Sequence, residues 1–337
     1  MIVPRRRWPF LIHCDGGKKV KIKSWLLVRF GAGILLISWL SYSIDFKKVW
    51  QPITPRGWLY LVLLFVVINI DRVLMSYKWR ILLTAKNIVI SFGDIVKSYY
   101  VGTFWGIFLP STVGGDVVRA YRVAKHTGST KDIASSVMME RILGALTSLL
   151  LSIICLLVAV VFVGVFDWQL VIGVSLVFVV AVVIVAFSFH GRLQDRLART
   201  SMLERQGVWG KLGRVYNSYM DYGRHHGALA RFVAWSAVEQ CVPVIGVYLT
   251  ALALGKDISF LYAVIFVPLV MTLAKIPLSL DGYGIREGLY VYLFSLVGIS
   301  HGDAFVIGLL SHVVANLALL PGFIYSSFSI SSSKSLF

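Results

Sequence analysis

Two stretches of this 337-residue chain place a proline, a glycine five positions on and an arginine four beyond that inside otherwise apolar sequence. They are Pro110-Ser-Thr-Val-Gly-Gly115-Asp-Val-Val-Arg119 and Pro277-Leu-Ser-Leu-Asp-Gly282-Tyr-Gly-Ile-Arg286. Proline and glycine interrupt helices, and interruptions at matching places in two halves of a membrane protein point to a transporter's substrate site. Non-helical backbone at bilayer depth persists only where protein buries it or where it lines a wet cavity. In the first copy, Gly114 and Gly115 allow close backbone approach or a positive φ. A helix resuming near Asp116 would aim free N–H groups at an anion, with Ser111, Arg119 and Arg122 at hand, which suits a phosphate headgroup. The blander role is a cap by Asp116 and an Arg119 that snorkels to the surface.

The second copy is as dense in charge: Lys275 precedes its proline, Asp281 precedes Gly282 and Gly284, and Arg286 is followed by Glu287. Charges at membrane depth are costly and mark function by default, although Arg286 in a structural ion pair is the competing account. Glu140 and Arg141 are adjacent, so on a helix they point in different directions and each reaches for a neighbour such as Arg119 or Asp116. Asp71 and Glu239 stand inside other apolar runs as candidates for carrying a proton; a permanently neutral, hydrogen-bonded acid is the alternative for Glu239. His312 and Asn316 share a helix face and suit an interhelical hydrogen bond.

Several chemistries lack their signatures. There is no phosphate-binding Gly-Lys-Ser/Thr loop, no His-Glu-x-x-His, no Cys/His ligand cluster and no Gly-x-Ser-x-Gly elbow, so no cofactor or metal is expected. Cys14, Cys155 and Cys241 are scattered and frame no disulfide scaffold. A transporter is favoured over an enzyme.

The elements that position these residues are membrane helices. Hydrophobic residues make up 58% of the chain and mean hydropathy is +0.79, far above a soluble domain. Runs at 26–42, 58–75, 142–166, 168–189, 232–254, 258–274 and 304–328 are long enough to span, while 99–109 and 289–297 read as half-helices or a cramped span. The expected fold is all-α: a polytopic bundle of about seven to nine membrane segments, two of them re-entrant or broken, with an internal repeat. The organisation is a basic tail at 1–23, one membrane domain at 24–328 and a tail at 329–337. Within the membrane domain, halves at 24–189 and 232–328 flank a basic connector at 190–231. In that connector Trp209, Leu212, Tyr216 and Tyr219 recur at helical spacing, the pattern of an amphipathic helix on a membrane surface.

The net charge of +17 follows topology rather than nucleic acid. Lys and Arg concentrate in 1–23, 76–97, 113–141 and 190–231, whereas 43–57, 166–169 and 255–258 carry only Lys47, Lys48, Arg56 and Lys256. The positive-inside rule then puts the N-terminus and the basic stretches in the cytoplasm of a cell inner membrane. A basic inner face attracts anionic headgroups.

With these residues in view, a family resemblance emerges. The block Leu109-Pro-Ser-Thr-Val-Gly-Gly-Asp-Val-Val-Arg119, then Ser135-Ser-Val-Met-Met-Glu140-Arg141, resembles the membrane region of lysylphosphatidylglycerol synthases, a family of flippase-like integral membrane proteins. Lys78-Trp-Arg-Ile-Leu-Leu83 and Gly282-Tyr-Gly-Ile-Arg-Glu287 resemble two further blocks. The resemblance implies re-entrant helices and a lipid translocase that moves a phosphate-containing headgroup, such as a modified phospholipid or a polyprenyl-phosphate-linked sugar. It maps the family's blocks onto Pro110, Gly114, Gly115, Asp116, Arg119, Glu140, Arg141, Gly282, Gly284, Arg286 and Glu287. The soluble aminoacyl-transfer domain of the bifunctional synthases has no counterpart. Two alternatives stand beside the translocase: a membrane enzyme acting on a lipid-linked headgroup, and a scaffold for a lipid-modifying enzyme. A lipid-modifying partner and a homo-oligomer are both compatible with the sequence.

Overall fold

The computed structural model describes residues 54–109, 113–164, 168–189, 208–275 and 282–326. The predicted first span at 26–42, both tails and part of the connector lie outside the described residues.

The chain is an all-α polytopic membrane protein. Five helical stretches among the described residues are long and apolar enough to cross a bilayer: Pro55–Ala85, Thr130–Val163, Val171–Ser188, His226–Ala253 and His301–Ser326. In chain order the helices are α1 Pro55–Ala85, α2 Phe92–Phe108, α3 Gly114–Thr127, α4 Thr130–Val158, α5 Trp168–Ser188 and α6 Val208–Met220. There follow α7 His226–Glu239, α8 Cys241–Ala253, α9 Phe260–Leu273, α10 Ile285–Ser295, α11 His301–Leu317 and the short α12 Pro321–Ser326.

Local chemistry fixes the helix ends. Thr54 caps α1 by accepting from the Gly57 N–H at 3.1 Å, with proline in the first turn, where a missing N–H costs nothing. Ser91 and Ser300 cap α2 and α11 in the same way, each with an aspartate in the first turn. After α4 a π-helical turn, Ala159–Val163, ends at Gly164 with φ 69°.

The membrane-spanning surface is apolar outward: Val179, Val180, Val183, Ile184 and Phe187 of α5 are all exposed. Polar groups face inward and pair. Ser148 and Ser152 of α4 meet Thr272 of α9 at 2.7 and 2.8 Å. Pro268 inside α9 removes the N–H that would bond the Val264 carbonyl, and the Cys155 thiol donates to that carbonyl instead at 3.3 Å. The main core lies between α4, α8, α9, α10 and α11, around Phe266, Phe294 and Tyr290.

Three interruptions shape the interior. Two fall at the repeated motif, between α2 and α3 and between α9 and α10. The third, between α7 and α8 at Gln240, follows from Pro243, which cannot donate to the Glu239 carbonyl. Beyond the bundle, the connector helix α6 turns its tyrosines to protein: Tyr219 is buried, stacks on Phe189 at 5.0 Å and hydrogen-bonds Ser188, while Leu212 stays exposed.

Candidate functional site: a charged cavity between the helix breaks

The first motif builds a tightly packed helical hairpin. α3 begins at Gly114, two residues before the expected restart, and Gly115 lies directly against α2. A Cβ on Gly115 would stand 2.5 Å from the Gly102 carbonyl oxygen, and one on Gly102 would stand 2.6 Å from the Gly115 oxygen. These glycines therefore serve close approach of helix to helix rather than to a ligand. Arg119, one turn into α3, is 3% exposed. Its guanidinium contacts Asp116 at 2.8 Å and Glu140 of α4 at 2.8 Å, and lies over the rings of Tyr99 and Trp79 at 4.4 and 4.5 Å. Tyr99 donates to the other Glu140 oxygen at 2.9 Å, and the Trp79 indole N–H donates to Ser136 at 3.0 Å. Arg141 turns the other way and pairs with Asp116. The adjacent Glu140 and Arg141 thus reach the two neighbours that their divergence on a helix implied.

The second motif is built on backbone conformation. Gly282 and Gly284 hold φ of 78° and 82°, in the region that disfavours a Cβ. Glu287, fully buried, accepts the Gly284 N–H at 2.6 Å and meets His312 Nδ1 of α11 at 3.1 Å. Tyr283 stacks on His312 at 3.8 Å and accepts from Asn316 at 2.5 Å, so both polar residues of α11 brace this turn. Arg286 has no hydrogen-bond or ion-pair partner among the described residues, and its Nε is buried.

A cavity of about 400 Å³ lies beside the second motif. Its lining includes Arg141, the partner of Asp116 from the first motif, and Gly282 and Arg286 from the second. Asp71 and Arg72 of α1, Glu239 and Gln240 at the α7–α8 break, Lys275 after α9 and Ser311 of α11 complete the polar wall. Leu64, Ile68, Val242, Gly246, Val247 and Ala315 make the rest apolar. On α1, Leu64 lies about 10 Å along the axis from Asp71, so the apolar and charged parts are spread along the helix. The volume lies in the range of small-molecule sites.

The charges on the wall are unequally engaged. Asp71 pairs with Arg72 at 2.6 Å. Glu239 pairs with Lys78, a buried residue of α1 that also donates to Ser236 at 3.2 Å. Lys275, exposed, has no partner among the described residues, like Arg286. Four cations and two carboxylates line the space, so it favours an anion.

Compared with known proteins, residues 26–322 match the lysylphosphatidylglycerol synthase TM region. The chain belongs to that family. Among curated relatives, a UPF0104 membrane protein of Pyrococcus horikoshii is 18% identical over 317 residues, covering 87% of this chain and 93% of the relative. A UPF0104 membrane protein of Methanothermobacter thermautotrophicus is 23% identical over 299 residues, covering 80% of this chain and 84% of the relative. No solved structure matches the chain.

In this member of the family, the residues singled out from sequence divide into two groups. Arg141, Lys275, Gly282 and Arg286 line the cavity, joined by Asp71 and Glu239. Gly114, Gly115, Arg119, Glu140 and Glu287 do not line it: they hold the hairpin and the turn on either side. Asp116 stands between the groups, bonded to Arg119 and Arg141. Ser111 and Asp281 lie outside the described residues. Sequence reasoning gave no role to Lys78 or Ser311. The signal for Lys78 was available, since it falls seven residues after Asp71 on one face of an intramembrane helix, where a cation demands a partner.

Proposed function

We propose that this protein is a lipid translocase whose central cavity takes the phosphate-bearing headgroup while the acyl chains stay in the bilayer. The observation that carries this reading is a mixed cavity, apolar along Leu64, Ile68 and Val247, with two unpartnered cations, Arg286 and Lys275, on its polar wall. An amphipathic ligand with an anionic head satisfies both halves of that surface, and the cost of crossing falls to that of desolvating the headgroup.

In this reading the residues have distinct tasks. Arg286 and Lys275 hold the phosphate, Arg141 of α4 approaches it with Asp116 of the first motif at its side, and Arg119 ties the hairpin to α4 through Glu140. Glu239 and Asp71 occupy the same wall as carboxylates already neutralised by cations, which lets them exchange partners as a headgroup enters. The basic ends of the helices face the cytoplasm of a cell inner membrane.

The test is lipidomics of lipid that co-purifies with wild type and with Arg286→Gln/Lys275→Gln. The expected result is a phosphorylated lipid in the first that is lost in the second. Equal lipid content in both would remove the cavity from the account. Incubation with that lipid followed by product analysis separates the translocase from a membrane enzyme: an altered covalent structure means an enzyme.

A further inference from the structure

A second basic site lies outside the central cavity, where the last turns of α1 meet the first turns of α7. Here a groove of about 560 Å³ is lined by Arg80, Arg224, Arg231, His225 and His226, with no carboxylate in its wall. Neither Arg80 nor Arg231 has an ion-pair partner among the described residues; Arg80 lies over the Phe92 ring and Arg231 donates only to the Gly227 carbonyl in its own helix. The Arg224 side chain is 86% exposed and reaches Asp221 only at 3.8 Å.

Below this groove the two helices repeat one another. On α1, Arg80, Tyr77 and Val73 share a face; on α7, Arg231, Trp235 and Val238 share a face. All six are exposed. The helices pack together through Lys78, which bonds Ser236 and Glu239, and Tyr77 meets Trp235 edge-to-face at 5.5 Å. Because the helices run in opposite directions, arginine lies beside arginine, aromatic beside aromatic and valine beside valine. Read outward from the arginines, each strip passes from charge through an amphipathic ring to aliphatic surface, as a bilayer does from headgroup to acyl chain.

Helix length sets the depth. α1 has 31 residues, about 46 Å of helix against a hydrocarbon thickness of about 30 Å, so its last turns stand at headgroup level. We infer that the α1–α7 groove is a docking site for one anionic phospholipid, its phosphate among Arg80, Arg224 and Arg231 and its chains along Tyr77, Trp235, Val73 and Val238. Basic pockets between membrane helices bind anionic headgroups in this manner. A lipid bound here ties α1 to α7, the helices that present Asp71, Arg72 and Glu239 to the cavity, without entering the cavity itself.

The experiment places a photocrosslinking benzoylphenylalanine at Val238 in the full chain, reconstituted in equimolar phosphatidylglycerol and phosphatidylcholine with matched chains. Mass spectrometry then identifies the crosslinked lipid. Each arginine should contribute about fivefold to the preference for phosphatidylglycerol, so Arg80→Gln/Arg231→Gln lowers the ratio about 25-fold and Arg224→Gln lowers it about fivefold. Arg224 is solvent-exposed, so that single variant reports even if the double variant is poorly folded. Arg286→Gln, in the separate cavity, should leave the ratio unchanged, which distinguishes failure here from failure of the translocase reading. Equal crosslinking of both lipids in wild type, an undiminished preference in the arginine variants, or loss of the preference on adding soluble glycerol phosphate would each overturn the proposal.

Discussion

Arg119 and Arg286 hold the same place in a repeated motif and opposite situations in the folded chain. Arg119 is closed in by two carboxylates and two aromatic rings, whereas Arg286 stands at a cavity with no partner. Helix register explains the difference. α3 starts four residues after Pro110, which carries Arg119 into its second turn and against α4; α10 starts eight residues after Pro277, which leaves Arg286 at its mouth. The glycines differ too: Gly115 is needed for space, Gly284 for a positive φ. One motif closes on its arginine and the other opens its arginine to a cavity.

The largest expected effect breaks the brace. Arg119→Ala or Glu140→Ala leaves a buried charge uncompensated and should lower stability by about 3–5 kcal/mol, read as a large fall in melting temperature in detergent. Arg286→Gln should leave melting within about 0.5 kcal/mol of wild type, because no contact is lost. If the two sites melt alike, the division between them fails.

Next in size are the glycines. Gly115→Ala drives a Cβ into the α2 backbone and should cost about 1–3 kcal/mol. Gly284→Ala, with its N–H bonded to Glu287, should cost about 1–2 kcal/mol through φ alone. Relieving space by shortening the neighbouring side chains should rescue neither, since backbone is the obstacle in the first case and torsion in the second.

Lys78 and Glu239 probe the cavity wall. Lys78→Met should destabilise by about 3 kcal/mol, and Lys78→Met/Glu239→Gln should recover most of that, as buried pairs do when both charges go. Urea or thermal titration of the three proteins checks it.

The smallest effect lies outside the membrane. Lys86 donates to Asp221 at 2.8 Å, and that hydrogen bond holds the carboxyl below its ordinary range. A carboxyl depressed in the folded state contributes stability above its unfolded pKa and loses it as pH falls through the folded value. Asp221→Asn should therefore lower the melting temperature slightly at neutral pH and flatten its decline below about pH 4, where the two proteins converge. The Asp221 side chain is half exposed, so the change is slight beside that at Arg119.

Much of this was legible in the sequence because hydrophobic length and Pro/Gly punctuation act locally. The spans among the described residues, the two interrupted regions and the divergence of Glu140 and Arg141 followed from spacing alone. Partners were not legible. Nothing local says that Trp79 and Tyr99 both meet Arg119, or that Gly102 brings α2 onto Gly115. Trp79 and Tyr99 read as ordinary apolar-run aromatics until the α1, α2 and α3 faces are assembled. The break at Gln240 was signalled by Pro243, yet its consequence, Glu239 facing the same cavity as Arg286, depends on how α7, α10 and α1 pack. The repeat itself misled in one respect: equal spacing from proline to arginine suggested equal surroundings, and different helix starts gave unequal ones.

The central claim is that the second arginine, not the first, meets the transported headgroup. Its most direct test reconstitutes wild type and Arg286→Gln in vesicles carrying acyl-labelled NBD-phosphatidylglycerol and follows dithionite quenching of label reaching the outer leaflet. Wild type should accelerate exchange, and Arg286→Gln, with unchanged melting, should slow it 10- to 100-fold, the equivalent of about 1.5–3 kcal/mol for a lost charge-assisted hydrogen bond. Exchange by Arg286→Gln at the wild-type rate would contradict the account.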